Sequence, residues 1–448
     1  MKVGVIGGGL TGLAAAYELV QQGHQVALWE QKPYLGGQAS TFELAGTRLE
    51  GFYHHIFTSD VDIIRLIQEV GLGGELEWLP SKVGFFYRDR IYDFVTPLDL
   101  LRFSPLGLGN RLRLGLTSLY LRHLRDWRKL EKVTASDWII KHAGKQNYEV
   151  VWGPLLRGKF GERASEVSMA WFWNKVRLRF SSRRGGRERL GYMWGSFGRL
   201  IDALEERIRQ AGVTIHPSHS VTRIVHEGGK VVGVELKSAP DGVAQFFPYE
   251  SVIATVPAHE FLKLVPEMPQ EYASRLAKIR YQAALCLVLV LKRPLSHIYW
   301  LNISAPAMPF VAVIEHTNFV EPTRYQGKHI VYVSNYLSRE SPLYGADAQS
   351  LLTEYLPHLR LINPDFNLDW VEQSHVFREG AAQPIVTTGY SQYIPGQVTP
   401  IGGLYLANTA QIYPEDRGMN YSVRLGHTVS RIVADKGTCN CSQNMINT

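Results

Sequence analysis

The first thirty residues alternate between apolar runs and a segment of helical periodicity. Residues 2–6 form a short, mainly apolar run of the kind that predicts a buried strand. Apolar side chains then recur at helical spacing over residues 10–22, and a second apolar run follows at residues 25–29. A strand, a helix and a second strand in this order predict a βαβ unit with parallel strands.

The rest of the chain falls into two blocks of different pattern. Amphipathic helical patterns dominate residues 81–189, and apolar strand-like runs recur in residues 261–395. No apolar run is long enough to predict a membrane-spanning helix. The patterns are clearest at Leu112–Leu130 and Trp138–His142 for helices, and at Leu285–Leu291, Phe310–Ile314 and His329–Val333 for strands.

A glycine-rich loop joins the first predicted strand to the first predicted helix. It contains the pattern Gly-x-Gly-x-x-Gly at Gly7, Gly9 and Gly12. Gly7 permits the tight turn, Gly9 lets a pyrophosphate approach the backbone, and Gly12 lets the helix pack closely on the sheet. The helix begins at Leu10 and Thr11, where free N–H groups and the positive end of the helix dipole favour phosphates.

An acidic residue stands where the second predicted strand ends. Glu30 follows Gly12 by 18 residues, with Gln31 beside it. A carboxylate at this distance can accept a hydrogen bond from the ribose hydroxyl of an adenine dinucleotide. The segment therefore predicts a dinucleotide site that disfavours NADP but does not by itself separate FAD from NAD.

A second glycine pair follows the acid. The sequence Gly36-Gly37-Gln38 leads to Thr41, and it resembles the second glycine signature of a flavoprotein superfamily. That superfamily includes the amine oxidases, protoporphyrinogen oxidases, phytoene desaturases and UDP-galactopyranose mutases. Its usual form has Arg where this chain has Gln38. The resemblance implies FAD, held non-covalently, with Gly36 and Gly37 close to its diphosphate.

Later segments resemble the same superfamily in the same order. Val221 lies where the backbone of relatives packs on the adenine ring. Asn408 and Thr409 end a strand that relatives end in Gly-Asp, so the Asp is absent and Thr409 offers a hydroxyl instead. Met419 and Asn420 open a helix whose backbone N–H groups, by the resemblance, face the pyrimidine edge of the flavin.

The resemblance also implies a layout in two domains. The expected fold class is α/β, with a Rossmann-like FAD-binding domain of the glutathione reductase type and an α+β substrate domain, both discontinuous. The FAD-binding domain is expected to comprise residues 1–80, 190–260 and 396–436, the substrate domain residues 81–189 and 261–395, and a disordered tail residues 437–448.

Catalytic residues are the least determined part of the site, because a flavin performs the redox chemistry itself. His55 lies in a stretch similar to the Gly-x-His-x-Phe of UDP-galactopyranose mutases. Lys292 and Glu315 each follow an apolar run, and Arg417 precedes the predicted flavin helix. Each of the four is a candidate to face the cavity, with a packing or surface role as the alternative. No metal site is expected.

Charge and cysteine content bear on partners and location. The net charge is +7, and basic residues cluster at 102–132 and 175–189. Leucines interleave with the first cluster, which favours either a solvated helix face or contact with a membrane surface. No motif predicts nucleic-acid binding. Three cysteines without a disulfide pattern fit the cytoplasm, with a peripheral position at the inner membrane face as an alternative.

The predicted function is that of an FAD-dependent oxidoreductase. It would take two electrons from a small organic substrate and pass them to oxygen or a quinone. The leucine-rich basic segment favours an apolar, tetrapyrrole or polyene substrate. Two alternatives stay open: a reduced-flavin isomerase like the UDP-sugar mutases, suggested by His55-Ile56-Phe57, and a flavin-free binding protein of the same fold, suggested by Asn408 and Thr409.

Overall fold

The computed structural model describes residues 1–44, 46–181, 183–184, 187–237 and 244–444 of the chain. The strands are β1 (Lys2–Ile6), β2 (Gln25–Trp29), β3 (Thr41–Leu44), β4 (Thr47–Glu50), β5 (Ile56–Phe57), β6 (Leu76–Pro80), β7 (Val83–Tyr87), β8 (Arg90–Asp93), β9 (Arg183–Arg184), β10 (Arg187–Met193), β11 (Thr214–His216), β12 (Val221–Glu227), β13 (Lys230–Lys237), β14 (Ala244–Pro248), β15 (Ser251–Ala254), β16 (Tyr281–Leu291), β17 (Trp300–Ile303), β18 (Ala312–Glu315), β19 (His329–Leu337), β20 (Val371–Pro384) and β21 (Leu404–Leu406).

The α-helices connect and cover these strands. They are α1 (Leu10–Gln21), α2 (Val61–Glu69), α3 (Pro97–Arg102), α4 (Leu108–His123), α5 (Ala135–His142), α6 (Lys145–Asn147), α7 (Gly153–Phe160), α8 (Met169–Ser181), α9 (Gly198–Gln210), α10 (Ala258–Leu264), α11 (Gln270–Ala277), α12 (Pro342–Gly345), α13 (Ala348–Ile362) and α14 (Met419–Asn444).

A five-stranded parallel sheet, in the order β11-β2-β1-β15-β21, carries the glycine-rich loop. Val5 pairs with Leu28 on one side and Ile253 on the other, and all three side chains are fully buried. Burial on both faces of a parallel sheet explains why these strands read as apolar runs. The strands come from the three segments assigned to FAD binding, although the domain boundaries themselves stay predictions.

Helices α1 and α14 pack tightly against each other. A Cβ on Gly426 of α14 would lie 2.6 Å from the carbonyl oxygen of Thr11 and 2.9 Å from Ala14 Cβ. Only a glycine therefore allows this approach between the two helices. Helix α14 continues beyond the expected end at Val433 and takes in residues 437–444 of the expected tail, while residues 445–448 lie outside the described residues.

The second large sheet has seven strands in the order β20-β16-β19-β18-β17-β7-β8. Strand β16, the second in this order, is buried from Gln282 to Leu291, and β19 and β20 pair with it on its two sides. Strand β7 joins from far along the chain and runs parallel to β17. This sheet unites residues from both blocks that were assigned to the substrate domain.

A helical region, α3 to α8, lies between β8 and β9 in the chain. The helix expected over Leu112–Leu130 begins earlier, at Leu108, and ends at His123. At Leu124 the backbone becomes extended. The turn allows Leu121 and Leu130 to pack into the same buried cluster, which a continuous helix would have separated.

The contact at Gly426 predicts a specific stability defect. Gly426→Ala is expected to lower the free energy of unfolding by about 2 kcal/mol, because the new methyl group overpacks against the α1 backbone. Gly115→Ala in α4 is the control, since its Cβ would make an ordinary 3.5 Å contact with Leu100. The control should be neutral or slightly stabilising. Equal urea unfolding curves for the two variants would contradict the close packing of α1 and α14.

Candidate functional site

Two glycine-rich segments form a cradle made only of backbone. The Gly36 N–H donates to the Gly8 carbonyl oxygen at 2.8 Å, and Gly9 forms a parallel bridge with Gly36. A Cβ on Gly37 would lie 3.1 Å from Gly9 Cα. Gly36 has φ of 102°, a left-handed conformation that favours glycine. The first and second signatures, separate in the sequence, are thus neighbours in the fold.

The glycines of the first loop have different tasks. A Cβ on Gly12 would lie 2.0 Å from the Gly7 carbonyl oxygen, so Gly12 is required for packing. A Cβ on Gly9 would meet nothing closer than Gly37 Cα at 3.9 Å. The space in front of Gly9 is therefore open, as a diphosphate bound against the backbone requires. The residues present fit the phosphate part of FAD.

Glu30 holds the loop in shape. Its Oε2 accepts a hydrogen bond from the Gly8 N–H at 2.7 Å, and its Oε1 accepts one from the Lys32 N–H at 2.8 Å. The residue is buried, whereas neighbouring Gln31 is exposed. Carboxylate oxygens have lone pairs beyond these two bonds. The predicted ribose contact of Glu30 therefore stays compatible with the geometry.

Two departures from the family pattern have structural roles. Gln38 Nε2 donates to the Ala381 carbonyl oxygen at 3.3 Å and so reaches β20. Asn408 Oδ1 accepts from the Ala410 N–H, and its Nδ2 donates to the Val256 carbonyl oxygen. Half-buried Thr409 follows in this turn. Neither position supplies a charged side chain, so binding of a diphosphate depends on backbone N–H groups.

The N-terminus of α14 lies against the start of α2. Asn420 Oδ1 accepts from the backbone N–H groups of Asp62 and Ile63, at 2.9 and 3.1 Å. Asn420 Nδ2 is buried and, among the described residues, has no hydrogen-bond partner. Met419 is buried beside it. An unsatisfied buried donor fits an acceptor on a bound cofactor, such as the pyrimidine edge of a flavin.

The adenine end of the predicted site lies near Val221. This residue begins β12, is 7% exposed and packs in one cluster with Ile6 and Trp29 of the parallel sheet. The start of β12 and the ends of β1 and β2 therefore contribute to one buried cluster. The contact of Val221 with an adenine ring stays a prediction.

His55 belongs to an aromatic wall. Its Nδ1 is hydrogen-bonded to Tyr299 Oη at 3.0 Å, and the Phe57 and Trp300 rings meet it edge-on. The ring of Tyr53 stands perpendicular to that of Trp300. Burial lowers the pKa of His55 to about 3, so its imidazole is neutral at neutral pH. The Arg179 guanidinium lies 5.9 and 5.5 Å from the centres of the Phe57 and Trp300 rings, so the wall is aromatic with a cation beside it. The aromatic rings suit a flat substrate.

Two of the four catalytic candidates have other roles. Lys292 is exposed at the end of β16, and its backbone N–H donates to the Trp370 carbonyl oxygen, which favours the surface role over a place in the cavity. Glu315 is fully buried and accepts hydrogen bonds from the N–H groups of Leu295 and Ser296. Burial raises its pKa to about 7. Its carboxyl group anchors a loop and does not line the cavity.

Arg417 belongs to a charged cluster that sequence reasoning missed. Its guanidinium donates to Tyr336 Oη at 3.0 Å. Beside it, the ammonium groups of Lys159 and Lys175 lie 2.6 and 2.7 Å from the same oxygen of Asp416. The available signal was the position of Asp416 directly before Arg417. The lysines gave no signal in the sequence that linked them to Asp416, since Lys159 is 257 residues away from it.

The backbone cradle, the acid after β2 and the helix N-terminus define an FAD-binding protein with a Rossmann-type domain. The chain belongs to the family described as flavin containing amine oxidoreductase, whose sequence model matches residues 10–434. Family membership confirms the predicted superfamily and fold class, with FAD as the cofactor.

Individual relatives resemble the chain in part or in fold. A zeta-carotene desaturase of Zea mays is 38% identical over 178 residues, which cover 35% of this chain and 31% of the relative. The chain thus spans about a third of the length of the curated relatives it matches. An oxidoreductase from Methanosarcina mazei has the same fold, with a TM-score of 0.74 at 20% identity over 96% of this chain and 100% of its own. Reduced UDP-galactopyranose mutase also has the same fold, with a TM-score of 0.74 at 16% identity. That match covers 98% of this chain and 94% of the mutase chain.

The open space at Gly9 predicts that Gly9→Ala separates cofactor binding from folding. The added methyl group meets no protein atom closer than 3.9 Å, so the free protein should keep its unfolding midpoint. FAD affinity should fall about ten-fold or more, because the methyl group occupies the phosphate space. Flavin fluorescence titration and thermal unfolding measure the two effects.

Gly74→Ala is the matched control, since its Cβ also meets nothing within 4 Å but lies outside the cradle. This variant should bind FAD like the parent protein. Unchanged FAD affinity in Gly9→Ala would show that the diphosphate does not lie against Gly9.

Proposed function

We propose that the protein is an FAD-dependent oxidoreductase that takes two electrons from a small organic substrate and passes them to oxygen or a quinone. The observation that carries the proposal is the cradle in which Gly9 and Gly37 approach each other with open space in front. A chain without a bound dinucleotide has no need of this arrangement. Family membership supports the same reaction class.

The chain's own residues have binding and positioning roles in this reaction. Bound FAD supplies the two-electron acceptor chemistry. With FAD bound, the loop that Glu30 holds in shape would position the diphosphate, and the N-terminal N–H groups of α14 would stabilise negative charge on the flavin. The wall formed by Tyr53, His55 and Trp300 excludes water and offers flat contact surface.

The substrate that fits this wall is flat and largely apolar, such as a polyene or a tetrapyrrole. The aromatic rings present faces and edges that bind a planar conjugated body. The relative from Zea mays is a zeta-carotene desaturase, which supports the polyene class.

The two alternatives receive less support. A UDP-sugar mutase activity is favoured by the His55-Ile56-Phe57 motif and by the shared fold with the mutase. At 16% identity, that likeness concerns the fold alone. A flavin-free binding protein is disfavoured because the cradle glycines are all present.

A spectroscopic experiment tests the proposed function. The purified protein should show flavin absorption bands and release equimolar FAD on denaturation. Anaerobic mixing with a polyene or a reduced tetrapyrrole should bleach the bands, and oxygen or a quinone should restore them. Flavin that is reduced only by dithionite, in a protein that then binds UDP, would indicate the isomerase. A protein that refuses added FAD would overturn both flavin-dependent activities.

We also propose that α3 and α4 form a lipid-binding face that keeps this cytoplasmic enzyme at the inner membrane surface. Within the described residues, no helix is both long and apolar enough to cross a bilayer. A surface helix can nevertheless insert its apolar side into the headgroup region. Exposed apolar side chains of α3 and α4 provide such a side: Leu98, Leu101, Leu108, Leu112, Leu116, Leu119 and Tyr120, each 45–69% exposed.

The spacing and the charges of this face favour an anionic bilayer over a protein partner. Leu108, Leu112 and Leu116 are four residues apart and lie on one side of α4. Cationic side chains occur on the same two helices and in the segment that follows α4, and Arg attracts anionic lipid headgroups. The exposed basic residues near this face are Arg102, Arg113, Arg122, Arg125, Arg128 and Lys129.

Vesicle binding tests this face. The protein should sediment with phosphatidylcholine vesicles that contain phosphatidylglycerol. The double substitution Leu112→Glu and Leu116→Glu should reduce binding by about ten-fold or more, because each buried leucine contributes about 2 kcal/mol. Leu361→Glu is the control, since Leu361 is 46% exposed on α13, away from this face. Equal binding by the double variant and the control would remove the proposal.

A further inference from the structure

One buried carboxylate holds two ammonium groups beside the N-terminus of α14. Lys159 of α7 and Lys175 of α8 both contact Asp416 Oδ2, at 2.6 and 2.7 Å. The Trp171 indole N–H donates to Asp416 Oδ1 at 3.1 Å. Asp416 is 5% exposed, and the neighbouring cations hold its pKa well below the usual range although burial alone would raise it. The carboxylate is therefore ionised and fully engaged.

The cluster carries more positive than negative charge. Lys159, Lys175 and Arg417 together have three positive charges, and Asp416 supplies one negative charge. Arg417 donates to Tyr336 Oη, which is not a carboxylate, and Arg417 Nε is buried without a partner among the described residues. Burial lowers the pKa of Lys175 to about 8, with Lys159 acting in the same direction.

The next carboxylates do not balance this excess. Glu188 lies within 3.2 Å of the Arg179 guanidinium and accepts from Ser81 Oγ. Glu379 accepts from the Ala381 N–H, and its negative charge also acts on Arg417, so it offsets part of the excess and leaves a surplus of one positive charge. Excess positive charge away from bulk water is unfavourable unless an anion joins it. Lys175 keeps 38% of its side chain exposed, so the cluster is open to solvent along this side chain.

Flat aromatic surface adjoins the cations. The ammonium groups of Lys159 and Lys175 lie 5.2 and 5.9 Å from the centre of the Trp171 ring, and Lys159 lies 5.7 Å from that of Tyr336. Helices α7 and α8 contribute the two lysines. Trp171 of α8 and Tyr336 of β19 contribute the adjoining rings, and all of these residues meet the loop before α14. A ligand here would lie next to the helix N-terminus that faces the flavin.

We propose that Lys159, Lys175 and Arg417, held in place by Asp416, form a subsite for an anionic oxygen group, a carboxylate or a phosphate, on a flat substrate. The proposal rests on the proposed function and specifies its substrate class. Two ammonium groups and a guanidinium provide several charged donors to such a group. The same excess charge repels a protonated amine, so amines are the wrong substrates for this chain.

Ligand titration of the FAD-loaded protein tests the subsite. Benzoate, phenyl phosphate and neutral benzamide are added in turn, and binding is followed by flavin absorbance and by calorimetry. At least one of the two anions should bind ten-fold or more tightly than benzamide, and the preferred anion identifies the group. Benzamide binding as tightly as both anions, or no binding of any probe, would overturn the proposal.

Variants of single lysines locate the effect. Lys159→Met and Lys175→Met should each weaken binding of the preferred anion about ten-fold, since a charge-assisted hydrogen bond is lost. Each leaves Asp416 paired with the other lysine, so folding and FAD content should persist. Lys175→Arg should restore most of the affinity, and Lys145→Met, at an exposed pair with Glu149, should change nothing. Anion binding unaffected in both methionine variants would contradict the assignment.

Flavin content separates this test from the test of the proposed function. If the protein lacks flavin but binds the anion in calorimetry, the subsite proposal stands and the proposed oxidoreductase function is overturned. If a neutral substrate reduces the bound flavin but neither anion binds, the proposed oxidoreductase function stands and the subsite proposal is overturned.

Discussion

The close approach of two backbones is the constraint on which the rest of the structure depends. Gly8 and Gly9 meet Gly36 and Gly37 without an intervening side chain, and one hydrogen bond of 2.8 Å holds them together. The cradle exists only because β1, β2 and α1 are already packed, since Gly12 must lie against the Gly7 carbonyl oxygen. Helix α14 adds a second close approach at Gly426, which brings its N-terminus to the same region.

Sequence reasoning succeeded where the signal was local. The first glycine loop, the acid at Glu30 and the adjoining strands lie within thirty residues, and their spacing predicts their geometry. The strands β1 and β2 also begin and end where the apolar pattern indicated. Burial of a strand on both faces leaves a continuous apolar run in the sequence, and burial of a helix on one face leaves a periodic pattern.

Sequence reasoning failed where the partner was remote. Lys292 and Glu315 each follow a buried strand, and a strand end can face a cavity or the protein surface with the same local pattern. Lys159, Lys175 and Asp416 come from two helices and a distant loop, so no spacing could pair them. Such charges can be read as a site only when the fold shows that they share one carboxylate.

The electrostatics of the chain point away from the substrates that the family's description names. Gln38 and Asn408, where the sequence departs from the superfamily pattern, bond through their amide groups to the protein's own backbone. Positive charge is concentrated instead on Lys159 and Lys175, which surround Asp416 where the helical region meets the loop before α14. In a poorly hydrated site, an unbalanced charge decides which ligands can enter. The cluster that we propose as an anion subsite would select against cations, so the reaction class of the family does not by itself determine the substrate class of this chain.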